Sequence, residues 1–299
     1  MNDKSIIASV ENEQNEKRKE LIKQIEDLLD GATVVAYVAN FNHPLGLIYN
    51  EDVILYEDLL RSCKKSDTLY LIINSPGGLA DVAEKMIIAS RARFKNFNVI
   101  VPFQAKSAAT MVALGSDEIL MSDISELGPI DPMIGHQGQL VQAWSYIEAF
   151  EQIKSEIQKK SKKLPVLPQL YAPLLDKIDP VILDICHRAI YDSKTFAEKW
   201  LKQHMFKRKP LQAKRTAALL SDADVYVTHS KIINYADAKE RLKLNVRFVD
   251  KDSLLWSTIW ELFVRSQTAI NKDNLSKVLI SSSNEIRQTA VIHKMKSIE

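Results

Sequence analysis

The sequence predicts an α/β protein on a mainly parallel sheet, with a helical C-terminal part. Strands alternate with helices through the first half, a pattern that demands right-handed crossovers. The strand runs are apolar without polar alternation, as in Leu69-Tyr70-Leu71-Ile72-Ile73 and Val99-Ile100-Val101, so both faces of the sheet are covered. Glycine is scarce, eight in 299 residues, and it concentrates at turns after strands. Sites in such sheets form at those C-terminal strand ends.

The elements follow in order. Residues 1–13 read as loose. From Asn15 to Leu29, Leu21, Ile22, Ile25, Leu28 and Leu29 recur at helical spacing, and Gly31 ends that helix. Thr33 to Val38 is β-rich and forms the first strand. Asp52 to Cys63 is a helix whose register buries Leu55, Leu59 and Leu60. A strand over 69–73 meets Asn74-Ser75-Pro76-Gly77-Gly78, and a helix runs from about Leu79 to Arg93. A strand over 98–102 leads to Ala105-Lys106-Ser107 and a helix to about Leu114, then a short strand, Glu118 to Met121. From about Leu140 the pattern turns helical, with Trp144, Ile147, Phe150, Ile153 and Ile157 at three- and four-residue steps. Lys159 to Pro168 reads as a basic, proline-marked linker, followed by helices at 178–206 and 210–220. Val225 to Val227, Ile232 to Arg241 and Val246 to Val249 read as a small βαβ return to the sheet. Leu254 to Thr268 is an amphipathic helix whose apolar face suits core or a subunit interface better than a membrane. The last thirty residues read as a polar tail. Three segments result: an N-terminal helix with its tail (1–31), a central domain (32–250) with a helical insertion at about 140–220, and a C-terminal helix and tail (251–299).

Composition narrows the function. Hydrophobic residues make up 46% and charged residues 26%, ordinary for a globular protein. The net charge of +2 makes no case for nucleic acid. The basic runs Lys159-Lys160-Ser161-Lys162-Lys163 and Lys207-Arg208-Lys209 read as solvated faces. Cys63 and Cys186 stand alone, outside any CxxC or Cys/His cluster, so neither zinc nor a disulfide framework is expected. The N-terminus is polar, and no apolar run reaches the length of a bilayer span, so a cytoplasmic protein is expected. No cofactor motif is present: no GxGxxG, no phosphate loop, no HExxH.

Two turns carry the chemistry. Two glycines after a strand leave backbone N–H groups bare, able to face an anion. Ser107, on a tight strand-to-helix turn among small residues (Ala108, Ala109, Ala113), can present its hydroxyl as a nucleophile. The competing reading makes Ser107 a plain N-cap of the helix that begins at Ala108. The N–H of Gly78 and that of Ala108 are the candidate oxyanion donors. The base is not legible. His136 sits in a polar loop, and His43, His187, His204, His229 and His293 have no triad-like context; a desolvated lysine is the other option.

At these residues the chain resembles the Clp-fold serine peptidases. Within them it is most similar to the signal-peptide-peptidase A group and to the serine dehydrogenase proteinases. The motifs are Asn74-Ser75-Pro76-Gly77-Gly78, Ala105-Lys106-Ser107-Ala108-Ala109-Thr110, Ala113 to Met121, and Ser125-Glu126-Leu127-Gly128-Pro129-Ile130-Asp131-Pro132. The resemblance implies a ClpP/crotonase-like spiral of ββα units, Ser107 as nucleophile, and Gly78 with Ala108 as oxyanion hole. It also implies a Ser-Lys dyad, because the position near Asp131 carries no triad histidine. The lysine-bearing segment of relatives is missing. Lys159 occupies a suitable stretch and is the expected base, with Lys177 as an alternative. Ala109 stands where relatives commonly have glycine, and its methyl is expected to narrow the cleft. A homo-oligomer and a peptide or unfolded-protein substrate are implied, with no cofactor and no integral membrane segment. Two other functions fit the same scaffold: crotonase-like chemistry on an acyl-thioester using Glu126 or Asp131, and a non-catalytic binding assembly.

Overall fold

The computed structural model describes residues 16–136, 138–160, 167–222, 226, 228 and 230–289. In chain order the elements are α1 (Glu16–Leu28), β1 (Thr33–Ala39), α2 (Asn50–Ser62), β2 (Thr68–Asn74), α3 (Ala80–Arg93), β3 (Asn96–Ile100), β4 (Gln104–Ala105), α4 (Ala108–Leu114), β5 (Glu118–Met121) and β6 (Glu126–Leu127). There follow β7 (Met133–His136), β8 (Gln139–Gln142), α5 (Ala143–Lys160), α6 (Leu167–Leu175), α7 (Pro180–Gln203), α8 (Pro210–Leu220), a π-helical turn (Asp237–Arg241), β9 (Val246–Phe248), α9 (Leu254–Lys272), β10 (Leu275–Ser281) and β11 (Glu285–Thr289).

A seven-stranded sheet runs in the order β11-β10-β1-β2-β3-β5-β9. The pairs from β1 through β9 are parallel, and β10 pairs antiparallel with both β1 and β11. Alternation of side chains sorts each strand between two cores. Val35, Tyr37 and Ala39 of β1 face one core, with Leu69, Leu71 and Ile73 of β2, under helices that include α3 and α4. Val34, Ala36 and Val38 face the other, with Trp256, Ile259 and Leu262 of α9 and Leu21, Ile22 and Ile25 of α1. The apolar face of α9 is therefore core. Among the described residues, no helix is long and apolar enough to cross a membrane.

Three expectations need correction. The tail reading of the last thirty residues fails over 275–289, where β10 and β11 extend the sheet and every residue of β10 is buried. Charge and serine content disguise a strand whose Val278, Leu279 and Ile280 are fully buried. The helix expected from Leu140 begins at Ala143, because 139–142 pair with 133–136 in a hairpin. In α2, Tyr56 takes the buried place expected for Leu55, which packs at the margin of the core. Part of the basic linker forms α6, while 161–166 lie outside the described residues, as do 1–15, Val225 and Val227. Tyr226 sits in a bend, and β9 does return to the sheet beside β5.

Candidate active site

The Pro76-Gly77-Gly78 bend and the Ser107 turn leave neighbouring strands and meet. Ser75 N–H donates to Gln104 O (3.0 Å) and Lys106 N–H donates to Ser75 O (3.0 Å), so the strand ends are laced just before both turns. Gly77 has φ +100°, and a Cβ there would lie 2.7 Å from Lys106 O and 2.8 Å from Ser107 Cβ. Only glycine lets the two turns touch.

Ser107 has φ 47° and ψ −117°, a conformation that side chains rarely adopt. Its side chain makes no capping bond to α4, so the N-cap reading fails. The residue is half-buried, and its hydroxyl has no partner among the described residues. The helix after it is fully buried, and Ala109 belongs to the core. The methyl of Ala109 therefore packs inward, against the expectation that it narrows a cleft. Thr110, whose role the sequence did not disclose, ties the turn down. Its Oγ1 lies 2.7 Å from Ala105 O and 3.0 Å from Gly128 O, and accepts from Gly128 N–H at 3.0 Å.

Gly78 is braced from behind by Ile48. Ile48 N–H donates to Gly77 O (2.7 Å), and Ile48 O accepts from Leu79 N–H (2.9 Å). In such a parallel bridge the bonds go to the residues on either side of Gly78, so its own N–H and C=O point away from Ile48. A Cβ at Gly78 would lie 2.3 Å from Ile48 O, and φ is +149°. Neither the Gly78 N–H nor the Ala108 N–H has an acceptor among the described residues.

A cavity of about 920 Å³ opens beside these turns, lined by Pro76 and Lys106 together with Phe41, Phe103, Met133 and Val141. Its polar floor follows from strand alternation. β4 and β6 pair with Gln104 opposite Glu126 and Ala105 opposite Leu127. Ala105 and Leu127 point into the core, which leaves Gln104, Lys106 and Glu126 on the cavity face. Lys106 Nζ lies 2.8 Å from Glu126 Oε1, and Gln104 Nε2 donates to the same oxygen at 2.6 Å. Gly128 gives the lysine stem room: a Cβ there would meet Lys106 Cδ at 2.8 Å.

The expected base is not brought to this place. Lys159 is exposed near the C-terminal end of α5, and no contact joins it to Ser107 among the described residues. Lys177 is exposed too, and Lys162 and Lys163 lie outside the described residues. His136 stacks edge-on against Tyr146, at 5.2 Å between ring centres. Asp131 is buried, with Oδ2 accepting from Gln142 Nε2 at 2.8 Å, and Glu126 is paired with Lys106.

A strained serine, a diglycine bend pressed against it and two unspent N–H groups thus stand together, and a family match covers the segment that holds them. The model for ClpP-like SDH-type serine proteinases matches residues 14–252. The chain belongs to this family. Among relatives of the ClpP-like SDH-type chain are two uncharacterised proteins of Methanocaldococcus jannaschii. One is 30% identical over 181 residues, covering 60% of this chain and 54% of the relative. The other is 32% identical over 103 residues, covering 33% of this chain and 35% of the relative. The chain thus spans about half the length of the first and about a third of the second. Similar solved structures include the 1510-N membrane-bound stomatin-specific protease. Its serine-to-alanine mutant is 21% identical with a TM-score of 0.29, over 38% of this chain and 58% of that one. Its lysine-to-alanine mutant with a substrate peptide is 13% identical with a TM-score of 0.39, over 81% of each chain.

Proposed function

We propose that this chain is a serine endopeptidase, with Ser107 as nucleophile and the N–H groups of Gly78 and Ala108 as oxyanion hole. The observation that carries the reading is the backbone of Ser107. A non-glycine residue at φ 47° costs about 1–3 kcal/mol, and here its hydroxyl is spent on no cap. In the reaction the Ser107 oxygen adds to an amide carbonyl while its proton passes to a base. The carbonyl oxygen takes the negative charge and receives the two N–H bonds. The C–N bond then breaks, the amine leaves with the proton, and water hydrolyses the acyl-enzyme.

The substrate proposed is a peptide or an unfolded protein segment. The apolar cavity walls at Phe41, Phe103, Met133 and Val141 support it. A homo-oligomer acting in the cytoplasm completes the proposal. Leu170, Leu174, Val181 and Ile185, exposed on α6 and α7, are surface that a second copy would cover. A lysine is proposed as base from the resemblance alone, since the position of Lys159 lends it no support. Lys106 lines the cavity, but its Nζ is engaged by Glu126 Oε1 at 2.8 Å. That pairing favours one second reading, a scaffold that binds peptides without cutting them.

Peptide hydrolysis by wild type, Ser107→Ala and alanine variants at 106, 159, 160, 162, 163 and 177 tests the proposal. Turnover that vanishes with Ser107→Ala and with one lysine variant supports the dyad. Turnover of an acyl-thioester that survives Ser107→Ala would replace the peptidase reading with the crotonase-like one.

A further inference from the structure

The oxyanion donor at Gly78 is only as well placed as the segment that braces it. That segment, Ile48-Tyr49, is held by a group far away in sequence. Tyr49 N–H donates to Asp52 Oδ2 at 2.8 Å. The Asp52 carboxylate receives Lys277 Nζ on both oxygens, at 2.7 and 2.6 Å, and the Tyr37 hydroxyl at 3.0 Å. Lys277 and Asp52 are 1% and 0% exposed, and neither lines the cavity beside the two turns. The pair cannot touch a substrate.

Burying two charges is costly, and an apolar pair of similar volume often serves stability as well or better. What this pair adds is register. Lys277 lies opposite Ala39 at the end of β1, and the next residue, Asn40, donates its N–H to Ser276 O at 2.8 Å. Asp52 carries that anchorage across to Tyr49, and Ile48 carries it to Gly77 and Leu79 on either side of Gly78. Every non-covalent link in this path is a hydrogen bond or an ion pair of 3.0 Å or less. Lys277 also lies beyond residues 14–252, the span matched by the family model.

We infer that the Lys277–Asp52 pair positions the Gly78 N–H, so that β10, the strand hidden in the polar tail, sets the geometry of the oxyanion hole. This rests on the reading of Gly78 as an oxyanion donor. Lys277 and Asp52 are positioning residues: they act through Tyr49 and Ile48.

The test compares wild type with Lys277→Met, Asp52→Asn, Lys277→Arg and the milder Tyr37→Phe, using a peptide substrate and a peptide boronate. The boronate adduct is tetrahedral and uses the oxyanion hole, whereas a ground-state peptide does so less. Rates are normalised to the sites titrated by a fluorophosphonate, which removes any misfolded fraction. For Lys277→Met and Asp52→Asn the expected result is a kcat lower by about tenfold to a hundredfold per titrated site. The boronate should weaken in parallel, with KM within about twofold of wild type. Lys277→Arg should recover most of the loss. If the first two variants do not fold, Tyr37→Phe reads the same effect, as a fall in kcat of a few fold at unchanged KM. Unchanged kcat and boronate affinity per titrated site, with only the melting temperature lowered, would overturn the inference and leave the active-site reading standing. A wild type without Ser107-dependent turnover would overturn both.

Discussion

Two lysine–carboxylate pairs flank the meeting point of the two turns, and they differ in what they face. Lys277–Asp52 lies behind the Gly78 brace at 1% and 0% exposure; Lys106–Glu126 lies on the floor of the cavity at 12% and 9%. Asp52 is saturated, taking bonds from Lys277, Tyr49 and Tyr37. On Glu126 both named partners, Lys106 and Gln104, fall on one oxygen, Oε1. A saturated pair at 1% and 0% exposure is placed to fix backbone. A pair at a cavity floor can exchange partners with whatever enters. A lysine–carboxylate pair is thus sealed in one place and open to a cavity in the other, and depth makes the difference.

The largest effect expected is at the hydroxyl between the pairs. Ser107→Ala should lower peptide turnover by at least about a thousandfold, with far-ultraviolet circular dichroism unchanged. Retained turnover would make the comparison moot, since neither pair would then flank a catalytic centre. Next comes the buried pair. Removing one partner by Asp52→Asn or Lys277→Met leaves an uncompensated charge or a lost ion pair, and should cost about 3–5 kcal/mol of unfolding free energy. Denaturant titration at constant m-value checks it. Lys106→Met should cost less, about 1–2 kcal/mol, because Gln104 still satisfies Glu126 at the cavity floor. Its kinetic signature should be the reverse of that at Lys277, a shift in KM larger than that in kcat. Equal losses of stability for Lys106→Met and Lys277→Met would erase the distinction drawn from depth.

The smallest effect lies away from both pairs and serves as their control. Burial beside Trp200, with Arg91 nearby, holds His204 down at about 4, against its usual 6.5. The folded state then disfavours the protonated ring while the unfolded chain accepts the proton. Stability tied to His204 is full above about pH 6.5 and declines as pH falls toward 4. His204→Gln should flatten the melting-temperature profile between those values by a few degrees. A profile that stays equally steep in that variant would assign the acid sensitivity elsewhere.

Much of the candidate site is legible in the sequence because the chemistry proposed for it needs particular residues next to one another. Pro76-Gly77-Gly78 after an apolar strand and Ser107 before Ala108-Ala109 announce themselves locally, and the fold brings them into contact. The parts that stayed hidden depend on partners far away in sequence. Nothing near Asp52 announces Lys277, 225 residues on. The clue that was available lay in Leu275-Ser276-Lys277-Val278-Leu279-Ile280, whose apolar residues make a strand once its lysine is granted a buried partner. Similarly, the Lys106–Glu126 pairing follows only from the register of β4 on β6, which two-residue strands do not reveal in sequence. Only its place along the chain recommends Lys159, and chain distance says little about where a helix end points. The hairpin at 133–142 is masked in the sequence because the helical period of Trp144, Ile147 and Phe150 begins directly after it.

The most direct measurement is reaction of the native protein with a fluorophosphonate, followed by mass spectrometry of the modified peptide. The account predicts one adduct per chain, on the Ser107 oxygen, lost in Ser107→Ala and abolished by prior unfolding. A native protein that stays unmodified, or carries the adduct on another serine, would contradict it.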